Sequence, residues 1–389
     1  MVVAGAATEL ANAAVQQPAT KNVLCMEGGQ GDASYVNNSQ AQLRTFQKMV
    51  HVLKETLDKL QHAGHGRPKK RLTAADLGCS CGQNTLLVAD LIVQHMADLY
   101  AAGSHPPPEF CFFFNDLPSN DFNTLFHLLL DSAAAAATTR NGSRPRYFAA
   151  GVPGSFYNRL FPESSVNVFT STFSLHWLSQ VPTEVADERS IAYNKGKVFV
   201  HGASEATGAA YKRQFQSDLS RFLRCRAAEL KRGGAMFLVC LGRPSSTPPT
   251  DQGTVRFLFG AMFQDSWGDL VGEGLMDGEN MDSFNVPVFA PSLEEFREVV
   301  DADGSFRINR LELVLGSPPA VDRPDDAGAV GRTVANNEWS LLGALVEAHI
   351  GKALGDQLFG RLRRRAEERA QELMEEMRFP HVVCSLSLA

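Results

Sequence analysis

No apolar run in this chain approaches the ~18 residues that a helical membrane span requires, so a spanning helix is not expected. Positive charge is not in excess either. The net charge of −6 gives no electrostatic reason to expect nucleic acid or an anionic membrane as a partner. Cysteines number seven, an odd count without framework spacing, which argues for a reducing compartment, the cytoplasm, over a disulfide scaffold. Cys79 and Cys81 stand as C-x-C, and no second pair exists to complete a zinc site. His62 and His65 sit in a Gly-rich stretch that reads as a solvated turn. The first twenty residues lack the basic residues and leucine-rich core of a signal or transit peptide. Residues 1–21 are therefore expected to be a mobile tail. No internal repeat is visible.

What the chain does have is alternation of strand and helix patterns. The organising stretch is Leu72-Thr-Ala-Ala-Asp-Leu-Gly-Cys-Ser-Cys-Gly-Gln-Asn-Thr85. A short apolar run ends at Asp76, glycines follow at Gly78 and Gly82, and an apolar-periodic segment runs to about Tyr100. That predicts strand, tight turn and helix, the first unit of a doubly wound α/β sheet. The turn is D-x-G-x-x-x-G, not the G-x-G-x-x-G of a nicotinamide or flavin site. Glycine still lets a ligand approach the backbone, and a helix N-terminus offers free N–H groups. Asp76 beside that opening suits a ligand with a cationic end, such as S-adenosylmethionine, better than a pyrophosphate.

Upstream, Leu43, Phe46, Val50, Leu53 and Leu57 predict one amphipathic helix ending near Leu60. Residues 61–70 read as a linker. Phe110 to Phe114 is a strand buried on both faces, ending at Asn115-Asp116. An ionised Asp116 at that tip can accept both hydroxyls of a ribose; a loop aspartate capping the next helix would look the same. Ser132 to Arg144, with its penta-alanine run, reads as a loop insertion. Strands are expected over 146–150 and 166–172, separated by Gly151-Val-Pro-Gly-Ser-Phe-Tyr157, where Ser155 and Phe156 could hold a purine or Phe156 could simply pack. A long amphipathic helix over 209–231 leads through Gly233-Gly234 into an apolar strand, 235–241. The aromatic helical segment 255–275 breaks the rhythm and suggests a cap. Ser292-Leu-Glu-Glu295 is a capping box. A strand over 306–315, helix over 334–377 and a closing strand over 381–388 complete the order. The charge run from Arg361 to Arg369, balanced by following glutamates, is a solvated helix face.

Four stretches resemble the plant SABATH carboxyl methyltransferases. They are Met26-Glu-Gly-Gly-Gln-Gly-Asp-Ala-Ser-Tyr-Val-Asn-Asn-Ser39, Asn115-Asp-Leu-Pro-Ser-Asn-Asp-Phe-Asn123, Gly151 to Tyr157, and Ser174-Leu-His-Trp-Leu-Ser-Gln180. Within that family, Ala209 to Gln216, Lys231 to Arg243 and Pro249-Thr-Asp-Gln-Gly253 look most like the indole-3-acetate members. The resemblance implies a class I, Rossmann-like, mostly parallel seven-stranded sheet with an antiparallel C-terminal strand and a helical cap. It places the S-adenosylmethionine-binding core at 22–242, a cap insertion at 243–292, a core return at 293–318, cap helices at 319–378 and a closing strand at 379–389.

It also implies residue roles. Tyr35, Ser39, Cys79 and Asn84 would line the methionine end of the cofactor, with Asp76 and Gly78 at the turn. Asp116 would take the ribose, Leu117 would pack beside the adenine, and Ser155 and Phe156 would complete the purine slot. Gln42 and Trp177 would clamp the substrate carboxylate, with Tyr35, Phe173 and His176 beside it. Asn194, Asp282, Phe284 and Asn285 match positions assigned a Mg²⁺ site in the family, although one carboxylate, two amides and a carbonyl make a weak hard-ion site. A lysine common in the family is Glu27 in this chain. A homodimer is implied as well.

The chemistry agrees with the resemblance. A carboxylic acid is already ionised at neutral pH, so its methylation requires placement and exclusion of water, not a general base. Of the large apolar cap residues Phe257, Phe259, Met262, Phe263, Trp267, Phe284 and Phe289, core packing should claim most and two or three should touch substrate. The function expected is methylation of indole-3-acetate. Rivals are the same reaction on salicylate, benzoate or jasmonate, and a hormone-binding module without turnover. A nicotinamide dehydrogenase is disfavoured by the missing glycine fingerprint.

Overall fold

Strand β1 (Arg71–Leu77) is buried along all but its first residue, as a central strand must be when helices cover both faces. A computed structural model describes residues 24–62, 70–138 and 147–389; the expected N-terminal tail and most of the 61–70 linker fall outside the described residues. Two short helices come first, α1 (Gln40–Gln47) and α2 (Val50–His62), where the sequence suggested one. Then follow β1, α3 (Gln83–Ala102), β2 (Glu109–Asp116), α4 (Phe122–Thr138), β3 (Tyr147–Pro153), β4 (Val166–Thr172), α5 (Thr183–Ala186), α6 (Glu205–Glu229) and β5 (Leu230–Leu241). The remainder is α7 (Arg256–Phe259), α8 (Ala261–Gly272), α9 (Gly278–Ser283), α10 (Leu293–Asp303), β6 (Phe306–Leu315), α11 (Ala327–Ile350), α12 (Lys352–Glu368), α13 (Ala370–Glu376) and β7 (Pro380–Leu388).

The seven strands lie in the order β3-β2-β1-β4-β5-β7-β6. β1 pairs in parallel with β2 and β4, β2 with β3, and β4 with β5. β7 runs antiparallel to both β5 and β6, so it alone opposes the other six. This is the mostly parallel sheet that the sequence order predicts. Alternation along each strand divides the core in two. On β5, Met236, Leu238 and Cys240 face one hydrophobic cluster with α6 and the later helices, while Ala235, Phe237 and Val239 face another with α2 and α3.

Local signals explain several boundaries. The alanine run does not form a loop: α4 continues through it to Thr138, consistent with the helix propensity of alanine. The aromatic stretch after β5 is broken at Gly260, whose backbone (φ −94°, ψ −130°) is not helical and whose added Cβ would meet the Arg256 carbonyl at 2.5 Å. At α10 both bonds of the expected capping box form, Ser292 Oγ accepting from Glu295 N and the Glu295 side chain from Ser292 N. Among the described residues no helix is long and apolar enough to cross a membrane.

Glu338, on α11, is fully buried, and neither carboxyl oxygen has a hydrogen-bond partner among the described residues. Burial pushes this carboxyl well above its ordinary value of 4.5, so the folded chain holds the proton to higher pH than the unfolded chain does. The unfolded chain releases it near the ordinary value. The folded state thus binds more protons over that interval, and stability falls as pH rises through it. Glu338→Leu should raise Tm by about 2 °C or more, with the larger gain at pH 8 than at pH 5. A lower Tm at both pH values in scanning calorimetry would contradict this.

Candidate functional site

Parallel α/β sheets place ligands outside the carboxyl ends of their strands. In this chain β1, β2 and β4 end beneath a cavity of about 1170 Å³. Its floor begins at Gly78, with φ +78°, where a Cβ would lie 2.3 Å from Ser174 Oγ. Only glycine fits that turn without displacing its neighbour. Gly78 N and Cys79 N both donate to the Asn115 carbonyl, at 2.8 and 2.9 Å, locking the first turn to the end of β2.

Asp116 lines the cavity at the tip of β2. Its Oδ2 accepts from Ser80 N and its Oδ1 from Leu117 N, both at 2.7 Å. A carboxylate has about four acceptor sites, so these bonds aim the group while leaving capacity on both oxygens. Desolvation pushes it up to about 6. Asn115 Nδ2 donates to the carbonyls of Val152 and Gly154 and ties β2 to the loop carrying Ser155 and Phe156. Both of these line the cavity, as does Leu117. Phe156 also packs edge-on against Tyr157 and Phe222, at ring distances of 4.7 and 6.1 Å, so the packing and wall readings hold together.

A buried ion pair fixes that loop. Arg226 and Glu229, fully buried at the end of α6, approach to 2.7 Å. Arg226 donates to the carbonyls of Phe156 and Asn158, and Glu229 Oε1 accepts from the amides of Leu160 and Phe161. The sequence reading missed this brace, because an Arg and Glu three apart on a helix usually mark a solvated face.

Tyr35, Gln42, Phe173, His176 and Trp177 also line the cavity. Phe173 has φ +63°, an unusual conformation for an aromatic residue; its amide bonds the Val239 carbonyl at 2.7 Å and its ring packs edge-on against His381. Trp177 is held by an isolated bridge to Val288, by Tyr157 Oη donating to its carbonyl at 2.7 Å, and by an edge contact with Phe259. His176 Nδ1 accepts from Leu241 N, which puts the proton on Nε2 in a neutral ring. Burial, then the neighbouring His381, pushes His176 down to about 3, and burial pushes His381 down to about 4. Both histidines are uncharged across the neutral range. Neither is a useful proton acceptor there.

Several expected residues stand behind the wall. Asp76 is buried under the floor, where Thr85 Oγ1 and Thr170 Oγ1 donate to its two oxygens at 2.6 Å each. Burial pushes it up to about 6. Held by the two threonines, its two oxygens form a bracket joining β1, α3 and β4. Cys79 is also buried, its thiol donating to the Ser80 carbonyl. Ser39 and Asn84 bond each other, Asn84 Nδ2 donating to the Ser39 carbonyl at 3.1 Å, as a support behind Tyr35.

Of the cap residues, Phe259 and Phe284 line the cavity. The others pack elsewhere: Trp267 stacks on Phe284 at 4.5 Å, Phe263 meets Trp267 and Phe284, and Phe289 packs on Phe215. The sequence did not single out Asn337, Leu341 and Leu345 on α11, nor Phe379 and His381 at the entry to β7. Their four-residue spacing on α11 was visible, but which helix face meets the cavity is a tertiary fact.

The residues matched to a Mg²⁺ site do cluster, but their donors face one another. Asn194 Nδ2 donates to Asn285 Oδ1 at 2.8 Å, and Asp282 Oδ1 accepts from Gly196 N at 2.6 Å. No group of three or more His, Cys, Asp or Glu able to hold a metal exists among the described residues. As arranged, these four do not form an oxygen shell for a divalent cation. Glu27 does not replace the missing lysine as a guide, because a carboxyl is neutral or negative in either protonation state; burial, then Glu347, pushes it upward.

Residues 21–389 match the model of a family described as SAM dependent carboxyl methyltransferase. The chain is 58% identical over 394 residues to indole-3-acetate O-methyltransferase 1 of Oryza sativa subsp. japonica, covering 98% of this chain and 96% of that protein. It is 53% identical over 381 residues to indole-3-acetate O-methyltransferase 1 of Arabidopsis thaliana, covering 97% and 98%. Its fold matches a loganic acid methyltransferase solved with SAH, at TM-score 0.81 and 31% identity, over 93% of this chain and 98% of that one.

If Asp116 must be ionised to accept a ribose diol, S-adenosylhomocysteine should bind with constant affinity above about pH 6.5 and weaken towards tenfold per unit below about 6. Asp116→Asn should bind at least tenfold more weakly and without that slope. Calorimetric titration from pH 5 to 8 measures both, and a flat wild-type profile would contradict the assignment.

Proposed function

The chain belongs to the SAM-dependent carboxyl methyltransferase family, and from that premise we propose that the acid it esterifies is indole-3-acetate. The methyl donor is S-adenosylmethionine, which supplies an electrophilic methyl group on a sulfonium. The cavity suits that donor at one end: a glycine turn open to close approach, an aimed carboxylate at Asp116, and the aromatic edge of Phe156. In this reading Asp116 takes the ribose hydroxyls, Leu117 and Phe156 flank the adenine, and Tyr35 covers the methionine end. Asp76, Ser39, Cys79 and Asn84 support that end from behind.

Gln42 and Trp177 are the groups proposed to hold the substrate carboxylate, each through a side-chain N–H. The observation that carries this reading is that the side chains placed around the acid carboxylate, Gln42, Trp177, His176 and His381, are uncharged near neutrality. The two histidines are held uncharged, and the proposed clamp is an amide and an indole. The carboxylate arrives ionised, so no proton has to be removed. A cationic clamp would stabilise the ground-state anion more than a transition state in which its charge is being dispersed. Uncharged donors orient the oxygen for in-line attack at lower cost to its nucleophilicity.

The choice of acid rests on the relatives named indole-3-acetate O-methyltransferase 1, at 58% and 53% identity over almost the whole chain. It is supported by the apolar lining that Leu258, Phe259, Leu341 and Leu345 add to the cavity, with Phe259 in edge contact with Trp177. We further infer a cytoplasmic homodimer. The seven free cysteines support the compartment, and the dimer rests on the family resemblance alone. No catalytic role is proposed for a metal.

Turnover with labelled methyl donor should give the highest kcat/KM with indole-3-acetate in a panel including salicylate, benzoate and jasmonate; no conversion of indole-3-acetate would sink the assignment. Trp177→Ala should lower kcat/KM for that acid by about tenfold to hundredfold and change S-adenosylhomocysteine affinity little. Loss of both together would show that the residue props up the pocket instead of holding the acid.

A further inference from the structure

Asp218, on α6, is fully buried and stands outside the cavity, although Gln214, Ser217 and Arg221 on the same helix line it. A carboxylate inside a fold is costly unless its oxygens are bonded and its charge is matched. Asp218 meets both conditions. Its Oδ2 accepts from Ser179 N at 2.8 Å. Its Oδ1 accepts from Ser179 Oγ at 2.7 Å, from Arg221 Nη2 at 2.9 Å and from Gln214 Nε2 at 3.0 Å. A carboxylate has about four acceptor sites, so these bonds leave Asp218 little to offer a ligand. Its partners are all protein groups, and two of the four bonds come from one residue, Ser179.

Ser179 lies two residues beyond Trp177, at the end of the loop that carries it. Before that point the loop is tied by the Trp177 amide to the Ser174 carbonyl at 3.0 Å, and by Tyr157 Oη to the Trp177 carbonyl at 2.7 Å. Past it, Leu178 N donates to the Pro287 carbonyl at 2.8 Å, and Asp218 then takes both the amide and the hydroxyl of Ser179. Gln214, Asp218 and Arg221 follow at intervals of four and three residues, so they share one face of α6. Gln214 and Arg221 also donate to Ser179 Oγ, at 3.3 and 3.1 Å. Arg221 joins the two sides of the loop, since its guanidinium also stands 5.7 Å from the centre of the Tyr157 ring. An apolar residue at 218 could fill the same space, but it could not accept the Ser179 amide.

We infer that Asp218 is a positioning residue for methyl transfer. By holding Ser179 it fixes where the Trp177 indole N–H stands in the cavity. This role rests on the reading of Trp177 as half of the carboxylate clamp. In-line attack tolerates little error, a misplacement of about 1 Å costing about a hundredfold. A slackened Ser179 lets the indole drift, so the loss falls on turnover and not on cofactor binding.

A double-mutant cycle tests this in the full-length protein, with indole-3-acetate or whichever panel acid turns over fastest. Asp218→Asn keeps the volume but turns an amide N–H towards groups that are themselves donors. It should lower kcat by about tenfold and change S-adenosylhomocysteine affinity by less than about twofold. In the Trp177→Ala background the same change should cost less than about twofold in kcat/KM, because the group it positions is gone. Ser179→Ala removes the hydroxyl bond and keeps the amide; it should lower kcat in the same direction, again with little effect beside Trp177→Ala, and it decides the matter if Asp218→Asn does not fold. Equal losses in both backgrounds, an unchanged kcat, or a matching loss of S-adenosylhomocysteine affinity overturns the role of Asp218 while leaving the clamp reading intact. Unimpaired turnover by Trp177→Ala overturns both.

Discussion

A carboxylate that attacks a methyl group has to keep its charge while giving up most of its water. The acid end of this cavity is arranged around that constraint. Burying an anion against a lysine or arginine would compensate its desolvation, but would also stabilise the reactant more than the charge-dispersed transition state. The alternative is a set of uncharged donors held in place by other bonds. Trp177 is fixed through its backbone by Tyr157 and Val288, and the neighbouring His176 is fixed and neutralised by the Leu241 amide. Rigidity replaces counter-charge.

That rigidity has to come from outside the cavity, and buried ion pairs supply much of it. Arg226–Glu229 braces the loop of Ser155 and Phe156 through four backbone groups. Arg243–Glu295 does the same for the chain leaving β5, with a two-pronged contact at 2.6 and 2.8 Å and a bond to the Ala290 carbonyl. Such pairs contribute little net stability for the desolvation they require. Their value in this chain is positional, because each guanidinium satisfies backbone carbonyls where the chain is irregular. At the floor, Asp76 works in the same way through two threonine hydroxyls.

The sheet was legible because its signals are local and repeated. β4 and β6 occupy the stretches that their apolar patterns mark out, and the capping box before α10 forms as written. The alanine run misled because it was read for its low complexity and not for its helix propensity, and the single N-terminal helix is two. At the site, most residues that line the cavity and were named from sequence lie in turns, loops or at a strand end, Gly78, Asp116, Ser155, Phe156 and Trp177 among them, while Gln42 and Phe259 lie on helices. Asp76, Cys79, Ser39 and Asn84 adjoin those motifs in sequence but stand behind the wall. Asn337, Leu341 and Phe379 lie far along the chain and reach the cavity only through tertiary packing. Nothing in a helical repeat says which face will meet a ligand.

The central claim is that methyl transfer needs no titrating side chain near neutrality. Single-turnover rates with both substrates saturating, measured from pH 6.5 to 9, test it most directly. The account requires a flat profile, since the acid is ionised throughout and His176 and His381, at about 3 and 4, remain neutral. A rate that rises or falls with an apparent pKa between 6.5 and 8.5, and loses that dependence when His176 is replaced by Gln, would contradict it.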